Sequence, residues 1–307
     1  MASNPPFDQL ESTSQPTEQL FDNRIKQRYR QDTVFSIASW AAIFIALFVL
    51  LVLLWDVAKD GLPYLNWDFL TRFPSRQPSN AGILSAIAGT FYSMILVGVI
   101  AFPLGVGTGV FLQEFGTDNW FTRLIEININ NLAGVPAIIY GLLGLMAFVR
   151  LAEPITGGRS LLAGSLTLVL LILPIIIVST REALLAVPDS LRQGGYAVGS
   201  TRWQVIWNLV IPQALPGMLT GTILGLSRAI GEAAPLIVIG ALTFISFLPD
   251  GLQSPFTVLP IQIFNWVSRP QPEFHRLAAA AIIVLLVILL CLNSLAIYLR
   301  NYFQRKV

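Results

Sequence analysis

Between Asp32 and Asp56 the chain carries no Asp, Glu, Lys or Arg. A helix rises about 1.5 Å per residue and a bilayer's hydrocarbon is about 30 Å thick, so about 20 mostly apolar residues suffice to cross it. Thr33–Trp55 meets that length. Runs of the same kind recur at Ser85–Leu112, Ile127–Val149, Leu161–Thr180, Gly217–Phe247 and Leu277–Leu299. Such runs predict an all-α polytopic membrane protein with six transmembrane helices. Composition agrees: of 307 residues 54% are hydrophobic and 12% charged, against about 25% charged in soluble domains. That balance excludes an ordinary soluble enzyme and a disordered chain.

Several chemistries are also excluded. The formal net charge is +2, which provides no broad basic surface for nucleic acid. One cysteine, Cys291, forbids an intrachain disulfide, and a single histidine, His275, leaves no basis for a histidine metal site or histidine catalysis. No metal site and no catalytic residue are expected. An intramembrane enzyme is a competing class, but His-Glu-x-x-His, paired membrane aspartates and Gly-x-Ser-x-Gly are all missing. So is a Gly-x-x-x-x-Gly-Lys-Ser/Thr loop, so no cofactor or nucleotide is expected on this chain. Gly105, Gly107 and Gly109 do not fit Gly-x-Gly-x-x-Gly and predict close helix packing.

Residues 1–32 are polar and lack the apolar core of a signal peptide. Their composition predicts a cytosolic tail with a short juxtamembrane helix, ahead of a membrane domain at 33–307. Orientation follows from basic flanks. With the N-terminus inside, eleven fall on the cytosolic side: Arg24, Lys26, Arg28, Arg30, Arg123, Arg181, Arg192, Arg202, Arg300, Arg305 and Lys306. Seven fall outside: Lys59, Arg72, Arg76, Arg150, Arg159, Arg269 and Arg276. Both termini are therefore expected in the cytosol. Pro103, Pro136, Pro174 and Pro235 lie inside spans, where kinks are expected. The fifth span exceeds the required length, so it tilts, breaks at Pro235 or leaves the bilayer. Pro255–Trp266 predicts a short interfacial piece, with Trp55, Trp67, Trp203 and Trp266 as interface anchors. Glu114, Arg123 and Glu126 read as a solvated flank, Arg181 and Glu182 as the end of the fourth helix, and His275 as interfacial.

Two places carry candidate function. The first is the connection 181–216, where Val198, Trp203, Ile206, Trp207 and Val210 predict an apolar stripe, Gly199 a sharp reversal and Pro212 the close of a second helical piece. Such a pair of short helices suits either a groove on another protein or the membrane surface. The second is the fifth span. Gly217, Gly221, Gly225, Ala229 and Ala233 recur at i+4 and predict close helix packing. Arg228 and Glu232, also at i and i+4, predict an ion pair beside that seam. A charge at mid-bilayer costs about 2.5–3.5 kcal/mol on insertion scales. The pair is either structural or an anion site in a translocation path, where arginine offers a fixed fork of donors.

The loop resembles the EAA loop of ABC-importer permeases. Gln193, Gly194 and Gly195 stand at the Glu-Ala-Ala positions, Gly199 at the glycine, and Leu209, Ile211 and Pro212 at the apolar and proline positions. The spacing is kept, and Gln193 replaces the glutamate. SRAIGEAAPL (227–236), NLAGVPAIIYGLLG (131–144), PFTVLPIQIFNW (255–266) and TRWQVIWNLVIPQALPG (201–217) resemble the PstA-type phosphate permeases in particular, and the resemblance covers about residues 33–307. It implies a type I ABC-importer permease fold in a bacterial cytoplasmic (inner) membrane. It also implies a PstC-type permease partner, a PstB-type ATPase dimer that binds ATP and Mg, and a periplasmic phosphate-binding protein. The loop would couple to the ATPase through Gln193, Gly194, Gly195, Gly199, Trp203, Leu209, Ile211 and Pro212. Arg228 and Glu232 would line the substrate path. A permease for sulfate or molybdate, and a scaffold signalling phosphate status, are the alternatives.

Overall fold

The computed structural model describes residues 15–117, 119–242 and 244–304, and the chain divides into two units, 1–56 and 57–307. Helix α1 (Gln15–Gly61) contains the first charge-free run. It begins well before Thr33, so residues 15–32 continue the helix, and residues 1–14 lie outside the described residues. The apolar side chains of its run, such as Phe35 and Phe48, are exposed.

In the second unit α2 (Trp67–Thr71) is capped by the Asn66 side chain, which accepts from the Phe69 N–H at 2.8 Å. Then follow α3 (Leu84–Val110), α4 (Trp120–Ala133), α5 (Ala137–Gly144), α6 (Glu153–Thr156) and α7 (Leu161–Leu185). After them come α8 (Asp189–Ala197), α9 (Arg202–Val205), α10 (Ile211–Gly231), α11 (Ala234–Ile239), α12 (Leu259–Val267) and α13 (Pro272–Gln304). No strand occurs among the described residues. Five helical stretches are long and apolar enough to cross a membrane, and a bent pair makes a sixth span.

Helix α7 is the hub. In its most apolar stretch 67% of the residues are buried, against 28% for α3 and 11% for α13. Leu168, Ile172 and Ile176 are fully buried, in one cluster with Val97 and Ala101 of α3, Tyr140 of α5, Ala229 of α10 and Leu236 of α11. The predicted small-residue row makes the α7–α10 contact: a Cβ on Gly221 would overlap the Ser179 side chain, and one on Gly217 would stand 2.7 Å from the Ala183 Cβ. Gly105 and Gly109 likewise lie against Ile176 and Thr180, whereas Gly107 faces open space.

Three expectations about helix ends change. The third span is not one kinked helix: α4 and α5 meet at 108° across Gly134–Pro136. The fifth ends at Gly231, before Pro235, which instead occupies the first turn of α11. Pro212 does not close a short helix, because Arg202–Gly231 is one continuous helical stretch of 30 residues. Its π-helical turn at Ile206–Val210 shifts the hydrogen-bond register just before a residue with no N–H to give. Residues 240–258 return without helix or strand among those described, held by Leu161 N–H to Ser254 O (3.0 Å), Leu162 N–H to Leu252 O (2.8 Å) and the Ser85 hydroxyl to Ile245 O (2.9 Å).

Trp266 is not an interface anchor. It is fully buried, packed between Phe69 (6.0 Å) and Phe274 (6.3 Å). Trp67 is 77% exposed, as an anchor should be. Trp266→Ala is expected to cost about 3–5 kcal/mol, and Trp67→Ala less than about 0.5 kcal/mol. Thermal unfolding of the two variants in detergent checks this.

Candidate functional site

Helix α10 carries candidate residues at both ends. Near its C-terminus Ala229 and Ile230 turn into the core, and Ser227 donates to Asn293 Oδ1 of α13 at 2.8 Å. These contacts leave Arg228 on the outward side, with its side chain 42% exposed. Glu232 has left the helix: its φ of −88° and ψ of 106° are extended, and its N–H bonds to Ala229 O at 3.3 Å. The expected pair forms, Arg228 Nε to Glu232 Oε1, but at 3.5 Å. That is the outer limit of a hydrogen bond. No other hydrogen bond from Arg228 occurs among the described residues, so most of its five donors remain for another acceptor.

The elements beside this pair are short and fitted together. Helix α5 lies against α11, and a Cβ on Gly141 would stand 2.7 Å from the Pro235 Cα. The buried Tyr140 hydroxyl donates to Leu132 O at 2.7 Å, which ties α5 back to α4 across the break.

The other end is the loop. Helices α8 and α9 form a hairpin that turns at Gly199, whose φ is +83°. A capping box starts α9: Gln204 N–H donates to Thr201 Oγ1 at 3.4 Å, and Thr201 N–H to Gln204 Oε1 at 2.9 Å. Gly195 is buried where a Cβ would meet Val205 and Leu209, and Leu209 packs against the cluster of Leu184, Val187, Val205 and Met218. Gln193, Gly194, Gly199 and Trp203 are exposed, and Ile211 and Pro212 are half-buried. The predicted stripe therefore splits. Ile206 and Val210 are buried, whereas Val198 is 81% exposed at the turn and Trp203 stacks on Trp207 at 5.7 Å on the outside.

Glu114 is not a solvated flank residue. It is buried at the end of the π-helical turn Phe111–Phe115 that follows α3, and pairs with Arg192 at 2.7 Å. Arg192 also donates to Leu184 O (2.9 Å), Val187 O (2.8 Å) and Asp189 Oδ1 (3.1 Å). The hydrogen bond to Glu114 holds the Arg192 guanidinium above its ordinary pKa, against the opposing effect of burial. The guanidinium therefore stays charged across the working range. Arg202 donates to the backbone carbonyl of Glu114 and lies 5.2 Å over the Phe115 ring. Glu126, also expected to be solvated, pairs with Arg181 at 2.8 Å. The sequence holds no spacing signal for partners 78 residues apart.

Comparison with known proteins fits this geometry. Residues 101–307 match the family described as "binding-protein-dependent transport system inner membrane component", and the chain belongs to that family. Residues 22–66 match a separate domain of unknown function. The chain is 32% identical to the phosphate transport system permease protein PstA of Haemophilus influenzae, over 87% of this chain and 92% of that protein. It is 29% identical to the phosphate transport system permease protein PstA 1 of Mycobacterium tuberculosis, over 98% and 99%. Among solved structures it is similar to a chain of a bacterial alginate ABC transporter crystallised with a periplasmic protein carrying alginate pentasaccharide. That match has a TM-score of 0.61 at 16% identity, over 88% of this chain and 94% of the other. The fold is that of type I ABC-importer permeases.

The hairpin turn gives a direct check. Gly199→Ala is expected to destabilise by about 1–2 kcal/mol, because alanine is strained in the left-handed region. Gly194→Ala, helical with no atom within 4 Å of its added Cβ, should be stabilising by up to about 1 kcal/mol. Unfolding midpoints of the two variants should move in opposite directions.

Proposed function

We propose that this chain is the membrane-spanning permease subunit of an ATP-driven importer of inorganic phosphate. The observation that carries the reading is Arg228: a cation in a span otherwise poor in charge, half open, and held at 3.5 Å by its only carboxylate partner among the described residues. Its remaining donors suit a tetrahedral oxyanion that has shed water. The names of the Haemophilus and Mycobacterium relatives support phosphate as that anion.

In this reading the chain forms half of the path and a homologous PstC-type permease forms the other half. A PstB-type ATPase dimer binds ATP and Mg and docks on the loop around Gly199, and a periplasmic phosphate-binding protein delivers the substrate. The permease itself catalyses no reaction. It lies in the bacterial cytoplasmic membrane with both termini in the cytosol, as the basic flanks favour. ATP binding closes the ATPase dimer, the loop carries the motion to the spans, and the path opens outward to accept phosphate. Hydrolysis resets it. Glu232 orients Arg228 and accepts a hydrogen bond from the protonated phosphate oxygen, a donor that sulfate lacks.

Labelled phosphate uptake by the reconstituted complex tests the function. Wild-type uptake should withstand excess sulfate and molybdate; inhibition by either would favour the wider oxyanion reading. Arg228→Ala should lower uptake about tenfold to a hundredfold, from the loss of about 1.5–3 kcal/mol in hydrogen bonds to a charged group, and Arg228→Lys by less. ATP hydrolysis recorded in the same samples shows whether the complex is intact. Uptake unchanged in Arg228→Ala would make the pair structural. Glu232→Gln should alter phosphate-over-sulfate selection, and unaltered selection would remove Glu232 from that role.

A further inference from the structure

Glu114 is held from both arms of the hairpin. Arg192, on α8, bonds its carboxylate at 2.7 Å, and Arg202, at the start of α9, bonds its backbone carbonyl. The two arginines flank the turn at Gly199, so one residue at the C-terminal end of α3 joins both sides of the loop. The Glu114–Arg192 pair is the most buried ion pair among those described, with side chains 9% and 16% exposed, against 63% and 48% for Asp68–Arg72. An exposed pair exchanges readily with water and contributes little. A buried pair has no water to substitute for the lost partner, and removing one member leaves an uncompensated charge.

Two further features act at the same residue. The π-helical turn at Phe111–Phe115 adds a residue to the helical register just where Glu114 faces the loop. The Arg202 guanidinium covers the Phe115 ring, and Phe115 in turn lies 6.0 Å from Trp203. Arg192 also binds the carbonyls of Leu184 and Val187 at the end of α7. Three elements therefore meet on one guanidinium: α3 through Glu114, the end of α7, and α8 itself.

We propose that Arg192 and Arg202 clamp Glu114 so that the loop and the C-terminal end of α3 move as one body, which makes these three side chains positioning residues for coupling. Motion delivered to the hairpin then reaches α3 directly as well as α10, which continues from α9. This rests on the transport reading given above. It adds to that reading a second route for the stroke, through a helix that is distant in sequence from the loop.

A cavity of about 690 Å³ beside the pair provides a reporter, because Gln113 of the π-helical turn and Tyr196 of α8 both line it. The test uses Gln113→Cys and Tyr196→Cys in a chain carrying Cys291→Ser, assembled with its partners in membranes. The rate of cross-linking by a bifunctional thiol reagent is compared without nucleotide and with ATP trapped. With Glu114 and Arg202 intact the two rates should agree. With Glu114→Ala and Arg202→Ala combined, which frees both arms, the rate should change about tenfold or more on trapping, and phosphate moved per ATP hydrolysed should fall about tenfold. Glu114→Gln with Arg202→Ala keeps the residue-114 side-chain volume, removes its charge, and serves the same comparison if the alanine variant does not assemble. A nucleotide-insensitive rate in the Glu114 variants, or a tenfold change with Glu114 intact, would overturn the clamp. Cross-linking does not depend on the solute carried, so absent phosphate uptake with a behaving cross-link would sink the phosphate reading and leave the clamp standing.

Discussion

In a hydrocarbon layer a backbone N–H or C=O without a partner costs several kcal/mol. Helix interiors satisfy these groups locally; helix breaks do not. This chain breaks two spans, at Gly134–Pro136 and at Glu232–Ala233, and places the half-helices that follow side by side, with Gly141 against Pro235. Polar side chains and returning backbone supply the rest: the Tyr140 hydroxyl serves Leu132 O, the Thr90 hydroxyl accepts the Leu259 N–H at 2.9 Å, and Leu242 N–H reaches Phe256 O at 3.2 Å. These bonds serve freed groups at breaks that the chain itself does not seal: Gly134 and Pro136 are exposed, and Glu232 and Ala233 are half-buried.

The break at Glu232 also explains why Arg228 is available. Had α10 continued, Glu232 would stand one turn on and pair closely with Arg228. Its extended backbone draws the carboxylate out to 3.5 Å. At the other end of the same continuous stretch, Arg202 holds the π-helical turn after α3. At about 1.5 Å per residue the two arginines are about 40 Å apart along one helix. A single continuous helical stretch thus joins the hairpin to Arg228.

The spans were legible in the sequence because a charge-free run of this length has few other fates. The loop was legible from spacing: Gly199 adopts the positive φ its position predicted, and Gly195 and Leu209 pack as an apolar pair. What escaped depended on distant partners. Pro136 marks a disturbance, but whether it kinks or breaks a helix depends on whether α11 stands ready to pack on the half-helix that follows, as Pro235 does at Gly141. Trp266 reads as an interface residue until Phe69 and Phe274 enclose it. Glu114 reads as solvated because Arg192 lies 78 residues away.

The central claim is that Arg228 lines an aqueous path that opens alternately to the two sides. Accessibility at that position measures it most directly. Arg228→Cys in a chain carrying Cys291→Ser, within the assembled complex, is exposed to a charged, membrane-impermeant thiol reagent from one side at a time, with and without trapped ATP. Labelling should switch sides with nucleotide, and inorganic phosphate should slow it. Labelling confined to lipid-soluble reagents, or indifferent to nucleotide, would place Arg228 outside the path and contradict the claim.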